Sequence, residues 1–113
     1  MRLANGDDVK LTFNLGALCK IEEEFNGLMD LTDLMEDPTH TLRNTIKLVR
    51  IGINATIEKE NLIKGTKRPL YTDDQLAALF EFSDIGELRA MIAEAMTESN
   101  KTTFETDTET KNE

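Results

Sequence analysis

Between Thr39 and Glu58 the apolar residues recur at helical spacing. Leu42, Ile46, Val49, Ile53 and Ile57 fall on one face, widened by Leu48 and Ile51. Side chains three or four positions apart share one side of a helix, whereas a strand sends successive residues to opposite faces. A helix of about five turns must bury that stripe, so the rest of the chain has to cover it. The chain has 113 residues, aromatics are only 5% of them and there is no Trp. One domain is therefore expected, with a core filled by Leu, Ile, Met and Ala.

The flanking segments supply candidate covers. Asn5-Gly6 is a turn signal of the type I′ kind, and Val9, Leu11 and Phe13 alternate, which predicts a β-hairpin over residues 2–13 with one apolar face. Asn14 is placed to cap a first helix running to about Asn26, with Leu15, Leu18, Ile21 and Phe25 as its stripe and Gly27 as its stop. A short helix from Asp30 or Thr32 to Met35 is expected, ended by Pro38. Lys59 to Leu70 reads as a basic loop broken by Gly65 and Pro69. Thr72-Asp73-Asp74-Gln75 matches a capping box opening a further helix through Leu76, Leu79 and Phe80. Ser83 is the expected cap of a last helix carrying Ile85, Leu88, Ile92 and Ala95. The expected fold is mainly α (α+β): an N-terminal β-hairpin followed by a compact bundle of about four to five helices, in a single domain over residues 1–98. Residues 99–113 hold one apolar side chain, Phe104, too little to offset ordering entropy, so a disordered acidic polar tail is expected there.

Charge narrows the functions. The chain carries 22 acidic and 13 basic residues, a net charge of −9, which argues against nucleic acid as a partner. The imbalance is uneven. Residues 1–37 sum to −6, residues 38–68 to +5 and residues 69–98 to −6, so the basic middle is expected to pack against, or face, acidic surfaces. A single Cys rules out an internal disulfide framework and a cysteine-based zinc cluster, and fits a reducing cytoplasm. No apolar stretch near Met1 resembles a secretory leader, and no run is long enough to span a bilayer, so no membrane association is expected.

No catalytic constellation emerges. His40 has no neighbouring His or Cys to share a metal or activate a nucleophile. Cys19 is followed one turn on by Glu22 and Glu23, which oppose a thiolate, so it reads as a small, partly buried hydrophobe. Asp30 to Asp37 lacks the ligand alternation and central Gly of a calcium loop. Glu22, Glu23 and Glu24 splay over about 200° of a helix and cannot converge on one ion. No cofactor or metal site is expected, nor an enzyme. The scattered methionines Met29, Met35, Met91 and Met96 read as core filling. One feature stands out: Arg43, Lys47 and Arg50 form a basic stripe at i, i+4, i+7. It either pairs with the acidic helices internally or forms the rim of a protein-docking face.

The run Phe13-Asn14-Leu15-Gly16-Ala17-Leu18-Cys19-Lys20-Ile21-Glu22-Glu23 resembles the opening of the tail assembly chaperones of long-tailed bacteriophages and the related tail proteins of gene transfer agents. There, a Phe shortly ahead of a Leu-(Cys/Ala)-x-(Ile/Leu)-Glu-Glu run begins the first helix. Tyr71-Thr72-Asp73-Asp74-Gln75-Leu76 looks like the family's later helix start. The resemblance covers most of residues 2–98 and departs from the family pattern in the basic segment 59–70. It implies a non-enzymatic role in the bacterial host cytoplasm: binding the tape-measure protein, and tail-tube subunits, before the tube polymerises, with absence from the finished virion. Homo-oligomers are compatible with that role. The alternative class is an acidic inhibitor or regulator that mimics nucleic acid, with Glu22, Glu23, Glu24, Asp30, Asp33, Glu36 and Asp37 standing in for phosphates on a basic protein surface.

Overall fold

The computed structural model describes residues 1–25 and 40–112, with side chains described in residues 1–25 and 40–98. Its elements are α1 (Leu15–Glu24), α2 (Thr41–Lys64), α3 (Asp73–Leu79), a 3-10 turn (Phe82–Asp84) and α4 (Ile85–Asn112). The expected short helix around residues 30–35 lies outside the described residues, and the expected disordered tail, residues 99–113, lies beyond the described side chains.

Helix α2 is the spine, packed against each of the other three helices. Leu48, Val49, Ile51, Ile53, Ala55 and Ile57 leave it in several directions, and all are buried. A helix apolar nearly all round is one that neighbours surround. The sequence pattern implies one stripe; the structure wraps the middle of α2 and leaves the stripe's first member, Leu42, exposed. Leu76 of α3 and Leu88 and Ile92 of α4 close the core from other sides. Met91 and Met96 are partly buried against it, as core-filling methionines should be.

Helix α1 starts as expected, with the Asn14 side chain accepting from the Ala17 N–H at 3.0 Å. Of the predicted stripe it buries Ile21 and packs Leu18 and Phe25 partly against the core, but Leu15 is 77% exposed and Ala17 is buried in its place. The burial pair is i, i+4, and the small Ala17 lets the backbones of α1 and α2 come close. Cys19, expected to be partly buried, is exposed.

The N-terminal segment departs from a hairpin. Among the described residues no strand forms, and a single antiparallel bridge joins Arg2 and Asp8. The turn is closed by the Gly6 N–H donating to the Leu3 carbonyl at 2.9 Å. That bond centres it on Ala4 and Asn5, one residue before the expected Asn5-Gly6. Gly6 follows at φ 93°, the left-handed position a glycine fills after such a turn. The alternation itself holds, since Val9, Leu11 and Phe13 are all buried. Their segment lies on a helix instead of a second strand. The Thr12 N–H donates to the Gly52 carbonyl at 3.1 Å. The Thr56 hydroxyl donates to the Lys10 carbonyl at 2.8 Å and lies 2.6 Å from the Thr12 hydroxyl. Gly52 makes this approach feasible, because a Cβ there would sit 3.1 Å from Leu11 Cβ and 3.3 Å from the Phe13 ring.

Helix α2 also runs six residues beyond its expected end, to Lys64, and stops at Gly65 with φ 70°. Nothing between Glu58 and Gly65 breaks a helix, so the segment expected to be a loop from Lys59 begins only at Gly65. The capping box at Thr72 and Gln75 forms as expected, with bonds of 3.0 and 3.1 Å. Ser83 does not cap the last helix: it lies inside the 3-10 turn, which the Asp84 carboxylate closes by accepting from the Glu81 N–H at 2.8 Å.

Candidate interaction groove

The loop after α2 folds back along the helix that precedes it. The Asn54 side chain donates to the Tyr71 carbonyl and accepts from the Tyr71 N–H, both at 2.9 Å. Two turns on, the Asn61 side chain donates to the Arg68 carbonyl at 3.0 Å and accepts from the Arg68 N–H at 3.1 Å. Each asparagine amide serves as a peptide group for the loop. The spacing explains why both reach: seven helical residues rise about 10.5 Å, and three extended residues span about 10 Å. Residues 68–71 thus lie antiparallel to α2 as if paired with it.

This arrangement fixes Leu70 beside the last turns of α2. Leu62 is 87% exposed, Ile63 is 72% exposed and Leu70 is also exposed. The three line a groove of about 400 Å³ between α1 and the C-terminal half of α2. Its floor is the buried Ala17, Ile51 and Ala55, and its edges carry Lys20, Glu58 and Lys59. Isolated exposed leucines are ordinary, but a cluster bounding a concave apolar floor marks a binding surface.

The basic stripe resolves into three different situations. Arg50 bonds the carboxylates of Glu24 on α1 and Asp73 on α3, with its side chain 16% exposed. Burial opposes its charge, and the two carboxylates outweigh burial and hold its pKa above the usual arginine value. Here the basic middle does pack between acidic helices, as the charge order suggests. Lys47 places its ammonium 5.8 Å from the centroid of the Phe25 ring. Arg43 is exposed and lines a second groove, with Leu42, Ile46, Asp73 and Ala77, between the start of α2 and α3. The structure therefore does not gather the three into one rim: Arg50 borders the first groove and Arg43 the second.

Sequence reasoning missed Leu62, Ile63 and Leu70 because it ended α2 at Glu58. The available signal was the absence of any breaker before Gly65. Asn54, which no sequence motif singled out as a loop clamp, is 8% exposed and bonded through both its amide nitrogen and oxygen to Tyr71. Among the described residues no three His, Cys, Asp or Glu side chains gather as for a metal ion, and no helix is long and apolar enough to cross a membrane. Comparisons with protein-family models, curated proteins and solved structures gave no match for the chain.

Proposed function

We propose that this chain is a non-enzymatic, protein-binding domain that serves as a tail assembly chaperone in a bacterial host, holding a helical segment of a tape-measure protein before the tail tube polymerises. The observation that carries the binding role is the groove itself: exposed Leu62, Ile63 and Leu70 stand over a floor of buried apolar side chains. An amphipathic helix laid into such a groove buries its apolar face, which supplies affinity, while rim charges set orientation and on-rate. The assignment to tail assembly comes from the resemblance of Phe13–Glu23 and of Tyr71–Leu76 to that family. The net charge of −9 keeps such a domain soluble at the local concentrations assembly needs.

The nucleic-acid mimic is the weaker reading. Of its proposed phosphate substitutes, Glu24 is bonded to Arg50 and Glu23 lies 3.9 Å from Lys20, so the first helix does not present an unopposed acidic row.

Co-purification of the tagged chain with fragments of a tape-measure protein, with tail-tube protein present and absent, tests the proposal. Retention of at least one fragment is expected. Failure to retain any fragment under both conditions overturns the chaperone role. An Arg43→Glu, Lys47→Glu variant that still folds is expected to keep its fragment, because neither residue borders the α1–α2 groove.

A further inference from the structure

The exposed apolar cluster lies at the end of the basic middle of a strongly acidic chain, where residues 38–68 sum to +5. Residues 58–70 carry Lys59, Lys64, Lys67 and Arg68 against Glu58 and Glu60, in a protein whose net charge is −9. Arg68 pairs with Glu60 at 3.2 Å, and Lys59 lines the groove with the exposed leucine and isoleucine side chains. Lys20 of α1 adds a second ammonium on the opposite edge of the groove, 3.9 Å from Glu23. Glu58 lies in the same lining, so the local balance is positive without being purely so.

We propose that the groove between α1 and the end of α2 selects an acidic amphipathic helix of a partner protein, its apolar face on Leu62, Ile63 and Leu70 and its carboxylates toward Lys20 and Lys59. This names the chemistry of the partner and rests on the docking role proposed above. A helix fits better than a flat anionic lipid surface because the floor at Ala17, Ile51 and Ala55 is recessed and buried, beyond the reach of a plane. It also fits better than a second copy of the chain, since two copies at −9 each repel one another before their grooves meet.

The test uses a display library of 18-residue helical peptides with leucines fixed on one face and Glu, Gln or Lys at the flanking positions, selected against the full chain. Enrichment of Glu-flanked over Lys-flanked peptides by about tenfold or more is expected, falling as salt is raised. A Leu62→Asp, Ile63→Asp variant should lose the enrichment while keeping its unfolding midpoint, since both side chains are exposed in the folded chain. Lys20→Glu, Lys59→Glu should reverse the preference toward Lys-flanked peptides. Enrichment of Lys-flanked peptides by the unaltered chain, no enrichment at all, or equal enrichment on the Leu62→Asp, Ile63→Asp variant would each overturn the proposal. So would concentration-dependent dimerisation abolished by that same variant, or binding to anionic vesicles abolished by it. The two levels separate cleanly. Retention of a tape-measure fragment by the Leu62→Asp, Ile63→Asp variant leaves the chaperone role and removes this groove from it. Selection of acidic helices without retention of any tape-measure fragment does the reverse.

Discussion

The middle of α2 and its C-terminal end both carry branched aliphatic residues, and they meet opposite fates. From Leu48 to Ile57 they are enclosed by α1, α3, α4 and the N-terminal arm. From Glu58 to Lys64, the same helix continues with the same geometry and leaves Leu62 and Ile63 in solvent. Periodicity says which side chains share a face. It does not say whether a neighbour exists to cover that face, and the difference between the two stretches is a difference in neighbours.

The sharpest way to break this contrast is to truncate one leucine in each stretch. Leu48→Ala, at a position with no exposure, should cost on the order of 2–5 kcal/mol. Leu62→Ala should stay within about 0.5 kcal/mol of the unaltered chain. Urea unfolding midpoints for the pair decide it, and similar losses in both would mean that the end of α2 is covered in solution.

Glycine draws the same line. Gly52→Ala forces a methyl against Leu11 Cβ at 3.1 Å, and that atom is fixed to the backbone of the docked arm. A loss of about 1–3 kcal/mol is expected despite the helix-propensity gain. At Gly65 nothing lies within 4 Å, and only the φ of 70° opposes a side chain, so Gly65→Ala should cost about 1 kcal/mol. Thermal melts of the two variants compare a packing penalty with a purely conformational one.

The two asparagine clamps refine the contrast further. Asn54→Ala leaves the Tyr71 backbone without its partner in a nearly buried site and should cost about 1–3 kcal/mol. Asn61→Ala releases an exposed stretch that water can solvate, and a loss below about 1 kcal/mol is expected. Equal losses would show that the loop folds as one unit with the end of α2.

The smallest effect is alkaline. Burial is the main cause raising the Tyr71 pKa, the bond from its hydroxyl to Asp7 adds to it, and the bond from Asn5 opposes it. A group that binds its proton more tightly when folded stabilises the fold below its unfolded pKa, near 10, and loses that contribution as pH rises through the higher folded value. Tyr71→Phe should therefore show a shallower loss of stability between neutral pH and about pH 11 than the unaltered chain, read as the difference between their urea midpoints.

Much of the framework was legible because its signals are local. The Asn14 cap, the Thr72–Gln75 capping box and the stripe at Leu88 and Ile92 each depend on residues within one or two turns. What was not legible depends on distant partners. Leu15 satisfies the helical period but faces solvent, because the small Ala17 is the side chain that fits against α2. Val9, Leu11 and Phe13 alternate like a strand, and nothing local reveals that Gly52 of a helix takes the place of a second strand. Of the candidate site, the sequence showed the charges at Arg43, Lys47 and Arg50 but not that Glu24 and Asp73 engage the last of them. The groove's apolar edge was hidden by a helix end set six residues too early.

The docking of the arm at Gly52 also sets an order of events. Helix α2 closes its hydrogen bonds over four residues, on the microsecond scale or faster. The arm's Thr12 must find Thr56, 44 residues away in sequence, and the entropy of closing so long a loop has to be met before any of its contacts form. Helix formation therefore precedes arm capture, and the Thr12 amide reports that last step alone. In pulse-labelling hydrogen exchange its protection should appear after that of the α2 amides. At equilibrium it should open at a lower free energy than they do, making the arm the first part of the core to detach.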